Sequence, residues 1–480
     1  MSCRIRTAIA LFVACMSGTA DSAPKPNLVL IISDDQCYTD FGFMDNPHVQ
    51  TPHLDRLASR SARYVNGYVP SSVCSPSLAT LLTGLYPHQH GIHYNHPPPG
   101  NAAFNRMTSV AEYVAARSRS FSRIRSLATL PRLLSEAGYR TLQTGKFWEG
   151  HYRNAGFTDG MTLFEPVPGQ SFGGNRTLAN GELAAHGNGD WGLKIGRETM
   201  QPISDFLDDV GKQPFFVWYA PYLPHQPHDS PQRYYDLVDV EHVPKHQVPY
   251  YASIAQFDET VGQLLNEIEQ RGLSENTLVA FVVDNGWEAG TTRARGRPEE
   301  FDHTKRSKRA PFDFGLRTPI LLRWPGVTKP ATHSELVNSI DLMPTLLTAA
   351  GIEVSHLNLP GTDLWPSATG KESLDADRAV FGEIYPGDAT SLGHPERDIA
   401  YRWVRQGSLK LIVPHSHGQL TPWGNFLTSP ALFDLANDSE EKRNLISSSR
   451  FHEDQIRLRR LLDEWWNPDD NTGDGHNMGN

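Results

Sequence analysis

Cysteine is scarce, with four thiols in 480 residues, and two of them, Cys3 and Cys15, fall in the first 23 positions. Such a count excludes a disulfide-dense secreted scaffold. Beyond the amino terminus no apolar run is long enough to cross a bilayer as a helix. Basic charge is in deficit, with 44 Lys and Arg against 54 Asp and Glu and a formal net charge of -10. Without a long basic stripe to face phosphate, a nucleic-acid partner is excluded. No internal repeat is present. What remains is 39% hydrophobic and 20% charged, an ordinary globular balance in a chain long enough for one large domain and a smaller one.

Residues 1–23, MSCRIRTAIALFVACMSGTADSA, place Arg4 and Arg6 before a short apolar run from Ala8 to Ala14. Small residues follow, so the segment reads as a secretory signal cut after Ala20, and the protein as exported to a periplasmic or extracellular space. The sequence FVAC ending at Cys15 also resembles a loose lipoprotein-processing signal, the alternative being a form anchored by lipid at that cysteine. Cleavage after Ala20 leaves Cys37 and Cys74. One disulfide is the ordinary expectation for two thiols in an exported protein, but the surroundings of Cys74 point to another use.

Four apolar runs read as buried strands: NLVLIIS (27–33), PFFVWYA (214–220), TLVAFVV (277–283) and TPILLRW (318–324). Helical patterns such as TLPRLLSEAG and SIAQFDETVGQLLNEIEQRG alternate with them and close on glycine. Continuous apolar strands alternating with amphipathic helices predict an α/β fold, a large and mainly parallel sheet sandwiched by helices. After about residue 365 the segments shorten and alternate, as in AVFGEIY, AYRWVRQGSLKLIV and ALFDLAND, before the amphipathic FHEDQIRLRRLLDEWW. We therefore expect a domain over 24–365 and a smaller α+β subdomain over 366–480, with a small antiparallel sheet and a closing helix. AARSRSFSRIRS (115–126) reads as an inserted, solvated basic loop or helix.

Polar clusters follow the strands. Asp34 and Asp35 come after the first, PYLPHQPH after FFVWYA, and Asp284 and Asn285 after TLVAFVV, and ligands in such folds gather beyond the carboxyl ends of the strands. Adjacent carboxylates repel unless a cation or donors compensate, and a convergent set of hard oxygen ligands suits Ca²⁺, or Mg²⁺ in a smaller cage. Cys74 precedes Ser75-Pro76, and proline favours the first turn of a helix. A thiol at a helix amino terminus faces exposed N–H groups that favour its anion, which predicts a lowered pKa and a nucleophile.

The run Cys74–Gly84, CSPSLATLLTG, resembles the C-x-P-S-R-x-x-x-L-T-G signature of the type I sulfatases, a branch of the alkaline-phosphatase-like superfamily. PNLVLIISDDQ, TPHLDRLASRSARYVNGYV, TLPRLLSEAGYRTLQTGKF, APYLPHQPH, VVDNG, DFGLRTPILLRWPG and LFDLANDSEEKRNL have counterparts in the family in the same order, so the likeness covers nearly the whole mature chain. It implies an alkaline-phosphatase-like fold and a cysteine that a maturation enzyme oxidises to formylglycine, whose hydrate attacks the sulfur of a sulfate ester. It further implies one Ca²⁺ per chain on Asp34, Asp35, Asp284 and Asn285, beside the modified Cys74. Lys146 matches the family lysine near the sulfate, His225 the substrate-side histidine, and Lys308 a lysine that precedes a Glu-Gly-Gly segment, here altered to DFG. The substrate class implied is a sulfated small molecule or glycan.

Two positions depart from the family pattern. Leu78 stands where the signature has arginine, which positions the nucleophile and helps the maturation enzyme recognise the cysteine. Trp148 stands where the family has a histidine that contacts the second hydroxyl. His151, or an arginine returned from 117–125, is a candidate replacement. Beside the sulfatase reading stand two others: a phosphate or phosphonate ester hydrolase of the same superfamily, and a non-catalytic descendant that binds sulfated polymer.

Overall fold

The computed structural model describes residues 25–170, 172–287, 306–417 and 422–472; residues 1–23, read above as a signal, with Cys3 and Cys15, lie outside them. Strands are numbered in chain order: β1 Asn27–Ser33, β2 Ala62–Tyr68, β3 Arg140–Gly145, β4 Asp159–Gly160, β5 Asn175–Thr177, β6 Leu183–Ala185, β7 Phe215–Ala220, β8 Thr277–Val283, β9 Arg317–Arg323, β10 Ala331–Asn338, β11 Ala379–Ile384, β12 Tyr401–Gln406, β13 Leu409–Pro414 and β14 Ala431–Asp434. Eight form one sheet in the order β10-β2-β9-β8-β1-β7-β3-β4. β9 pairs antiparallel with both β8 and β2, while every other pairing in this sheet is parallel. The sheet is thus mixed and mainly parallel, as expected.

Period-2 alternation divides the central strands between two cores. Leu28, Leu30 and Ile32 of β1 face one side with Phe216, Trp218, Leu278 and Ala280. Val29 and Ile31 face the other with Phe215, Val217, Val279 and Phe281. Both faces are apolar because both are covered: the helix Cys74–Thr83 lies in the first core through Leu78, Leu81 and Leu82, and the helix Val248–Gln270 in the second through Phe257, Val261, Leu264 and Ile268. This is why these strands read as unbroken apolar runs.

β11 to β14 form a separate antiparallel sheet, and the closing helix His452–Trp465 buries Leu458 and Leu462 against Val404, Leu411 and Leu432. Among the described residues no helix is long and apolar enough to cross a membrane.

Candidate active site

Register decides where the site forms. Ser33 at the end of β1 pairs with Val283 of β8, and Gly145 at the end of β3 pairs with Ala220 of β7, so these parallel strands stop at one edge. Backbone bonds then tie the emerging loops together: Asp34 N–H to the Leu223 carbonyl at 3.0 Å, Asp284 N–H to Ser33 at 3.0 Å, and Lys146 N–H to Ala220 at 2.7 Å. The turn into Lys146 needs a glycine. Gly145 has φ +73°, and a Cβ there would lie 1.8 Å from the Ala220 oxygen. Asp35 takes a left-handed φ of 61°, a conformation that costs a non-glycine residue about 1 kcal/mol or more and collects at functional sites.

The structure gathers all eight of the singled-out residues. Lys146 Nζ donates to both oxygens of Asp34, at 2.8 and 2.7 Å, and lies 3.4 Å from Cys74 Sγ. Lys308 Nζ donates to Asp35 Oδ2 at 2.6 Å, and Asn285 Nδ2 to Asp35 Oδ1 at 2.6 Å. Asp284 Oδ1 accepts from the Asp35 backbone N–H at 3.0 Å. His225 Nε2 lies 3.4 Å from Asp35 Oδ2 and is the most open of the group, its side chain 17% exposed.

The His225 ring stacks on Tyr222 at 4.3 Å between centroids. Its Nδ1 lies 2.6 Å from the Gln226 carbonyl, which only accepts, so Nδ1 carries a hydrogen and Nε2 faces the site. Burial lowers the His225 pKa well below the usual range while Asp35 opposes the drop. For Asp35 burial pushes the other way, yet His225, Lys308 and Lys146 outweigh it and hold the carboxylate below its usual pKa.

Three carboxylates, Asp34, Asp35 and Asp284, face two ammonium groups, Lys146 and Lys308, so one negative charge is left over. Asp284 Oδ2 and Asn285 Oδ1 are buried with no hydrogen-bond partner, and orphaned oxygens of this kind cost free energy unless a ligand takes them. Burial pushes Asp284 up to about 6. Ligand atoms of Asp34, Asp35, Cys74 and His225 all lie within 4.8 Å of one another. An oxygen-rich, negative and partly orphaned cage fits a hard divalent cation.

At Cys74 the structure bears out a use other than a disulfide and overturns the lowered pKa. Cys37 and Cys74 are both free and buried; Cys37 Sγ instead sits 3.7 Å from Ser307 Oγ and from the Phe314 carbonyl. The thiol pKa is also raised rather than lowered. Cys74 does begin its helix, but burial pushes it up to about 12 against the pull of Lys146 and Lys308. Desolvation of the thiolate outweighs the helix terminus, so burial favours the protonated thiol.

The two departures are both buried. Leu78 and Trp148, 2% and 7% exposed, belong to the same apolar cluster as Cys74. His151 does not replace the missing histidine; its Nδ1 accepts from Arg153 N–H in a neighbouring turn. The basic segment is helical over Val110–Ser120 and Ser122–Ser126, and the solvated reading fails at Arg117, which is 2% exposed. Arg117 lies 5.9 Å over the Trp148 ring and donates to the Asn95 carbonyl at 3.0 Å. Asn95 Oδ1 in turn accepts from Ser75 N–H at 3.0 Å, at the start of the cysteine helix. Sequence reasoning missed Asn95, Tyr222, Arg176 and His186. None carries a motif, and the one available signal was the unusual density of arginine and histidine between 88 and 186.

The sulfatase family model matches residues 26–352, and a second, described as N-sulphoglucosamine sulphohydrolase, C-terminal, matches 302–467. Arylsulfatase A of Homo sapiens is 29% identical over 474 residues, covering 91% of this chain and 86% of that protein. The ulvan-active sulfatase of Formosa agariphila is 27% identical, covering 92% and 81%. Among solved structures, one in complex with its substrate D-glucosamine-2-N,6-O-disulfate superposes with a TM-score of 0.67 at 19% identity, over 93% of this chain and 99% of that one. A sulfatase from Pseudoalteromonas sp. superposes with a TM-score of 0.63 at 18% identity, over 92% and 90%. These two share the fold, and the family match covers the strand ends that present Asp34, Lys146 and Asp284 and the helix that begins at Cys74: the chain belongs to the type I sulfatase family of sulfuric ester hydrolases.

Proposed function

We propose that this protein is an exported, Ca²⁺-dependent sulfatase that hydrolyses a sulfate ester on a carbohydrate, with Cys74 matured to formylglycine by a dedicated enzyme. The observation that carries the proposal is the buried Cys74 flanked at 3.4 Å by Lys146 inside a carboxylate cage with orphaned oxygens on Asp284 and Asn285. The buried thiol supports maturation, because a side chain held near pKa 12 needs chemical conversion before it can attack.

Asp34, Asp35, Asp284 and Asn285 would hold the cation, which would supply positive charge for the oxygens of the nucleophile and the sulfate. Lys146 sits beside residue 74 and Lys308 beside Asp35; both point donors where charge develops on a sulfate. His225 Nε2 faces the site and would serve as the acid for the departing alcohol once the ring takes up a proton there, a form that Asp35 at 3.4 Å favours against burial. Relatives that act on named glycans, among them the N-acetylglucosamine-6-sulfatase of Homo sapiens, 27% identical over 79% of this chain, support a carbohydrate substrate.

The first test is the intact mass of the Cys74 peptide from protein made in its native host, which should show aldehyde in place of thiol. The second compares sulfated and phosphorylated chromogenic esters with and without chelator, with turnover of the sulfate ester expected only with metal. A thiol at Cys74, or turnover confined to the phosphate ester, overturns the proposal. Loss of all turnover with retained binding of sulfated polysaccharide favours the non-catalytic descendant instead.

A further inference from the structure

A second basic cluster adjoins the nucleophile. Arg117 comes from the helix Val110–Ser120, Arg176 from β5, His186 directly follows β6, and Trp148 lies two residues beyond Lys146. The Trp148 and His186 rings meet at 5.6 Å, and Arg176 Nη2 lies 3.3 Å from His186 Nε2. His186 also feels the charge of Lys146, and the Asn188 carbonyl two residues on accepts from Phe147 N–H at 3.2 Å. The cluster therefore stands against the sulfate side of the site.

Its charge balance is what sets it apart. Arg117 and Arg176 are 2% and 5% exposed, and among the described residues neither has a carboxylate within 4 Å. Their partners are neutral: carbonyls of Asn95 and Gly187 for Arg117, side-chain oxygens of Asn101 and Asn105 for Arg176. The two guanidinium groups also repel one another. Glu149 and Asp190 feel Arg117, but burial pushes them to about 8 and about 7, which blunts their negative charge at neutral pH. Asp388 feels Arg176, but its oxygens are taken by His96 Nδ1 at 3.0 Å and Asn101 N–H at 2.9 Å.

Four donor or ring-nitrogen positions are buried with no partner: Arg117 Nε, Arg176 Nε, Trp148 Nε1 and His186 Nδ1. Buried like charges without a counterion are costly, and an anion that arrives with the substrate relieves that cost. His96, its side chain 16% exposed, meets the His186 ring at 5.8 Å and is the partly exposed neighbour of the cluster.

We propose that Arg117, Arg176, His186 and Trp148 form a subsite for a second anionic group, a sulfate or a carboxylate, on the sugar whose sulfate is cleaved. This inference rests on the sulfatase reading and narrows its substrate to a polyanionic glycan. Planar guanidinium groups suit either anion, since both accept paired N–H donors.

The test is calorimetric binding to full-length Cys74→Ala protein at low salt, using N-acetylglucosamine 6-sulfate, glucosamine-2-N,6-O-disulfate, and the 6-sulfated amino sugar linked to glucuronate. The disulfated or the uronate probe should bind at least about tenfold tighter than the monosulfate, and which of the two gains identifies the second anion. Arg176→Gln should bring the ratio towards one, and Arg176→Lys should restore part of it. If Arg176→Gln does not fold, the wild-type ratio and the Arg176→Lys variant still decide. Equal affinities, no binding at millimolar concentration, or an advantage that survives Arg176→Gln overturns the subsite. Turnover of an aryl sulfate by the Cys74 enzyme is read separately. Discrimination without turnover sinks the sulfatase reading alone, and turnover without discrimination sinks the subsite alone.

Discussion

Two buried charge networks in this molecule are built from carboxylates and cations and differ in whether their charges balance. At the sheet edge, Asp34, Asp35 and Asp284 meet Lys146 and Lys308, with one negative charge in excess and oxygens left orphaned. At the junction with the small sheet, Asp313 accepts from Lys410 Nζ at 2.9 Å and from Tyr68 Oη at 2.7 Å, its own N–H donates to Glu441 at 2.6 Å, and Lys410 also reaches Glu441 at 2.9 Å. Arg405 adds a second cation 3.8 Å from Asp313. Two acids and two cations balance there in charge, although Glu441 Oε1, 2.9 Å from Lys410 Nζ, has no hydrogen-bond partner. A charge-balanced network holds a fold in one register, whereas one with excess charge keeps binding capacity that a ligand must complete. Asp313 opens the altered DFG segment, so the balanced network also anchors the loop that carries Lys308.

The comparison can be broken from either side. Lys146→Gln should reduce sulfate-ester turnover at least ~100-fold, the scale of losing one donor to developing charge, while the folded protein persists in circular dichroism; near-native turnover would remove Lys146 from the chemistry. Lys410→Met should act oppositely, costing ~3–5 kcal/mol in urea unfolding because Glu441 loses its buried cation and Asp313 keeps only the more distant Arg405. A loss below ~1 kcal/mol would show that the junction is not held by this network.

Calcium should raise the unfolding midpoint of the wild type, by up to ~2.7 kcal/mol at a hundredfold excess over its dissociation constant, and chelator should reverse the gain. Asp284→Ala and Asn285→Ala together should abolish it, whereas Lys410→Met should retain it. As a surface control, Arg233→Ala removes an exposed pair with Glu259 at 2.8 Å and should cost at most ~1 kcal/mol; a larger loss would blur the contrast between buried and exposed pairs.

Legibility followed physical rule. β1, β7, β8 and β9 were readable because two-sided burial demands continuous apolar sequence. β2, ARYVNGY, β3, RTLQTG, and β10, ATHSELVN, were not, because polar and half-exposed positions interrupt their pattern. The carboxylate pairs were readable because they follow strands directly in the chain. Arg117 was misread as surface because its partners, the Asn95 and Gly187 carbonyls and the Trp148 ring, come from 22 or more residues away.

The sequence alone determined the mixed α/β architecture, the edge at which the ligands gather, and the residues of the cage, since all three follow from local periodicity and from motifs adjacent to strands. Only the tertiary structure decided that Cys74 is a buried thiol with a raised pKa, that Cys37 does not pair with it, and that Arg117 and Arg176 meet beside Trp148. Each of those facts depends on desolvation and on contacts between distant segments, and neither quantity is encoded in the spacing of residues along a chain.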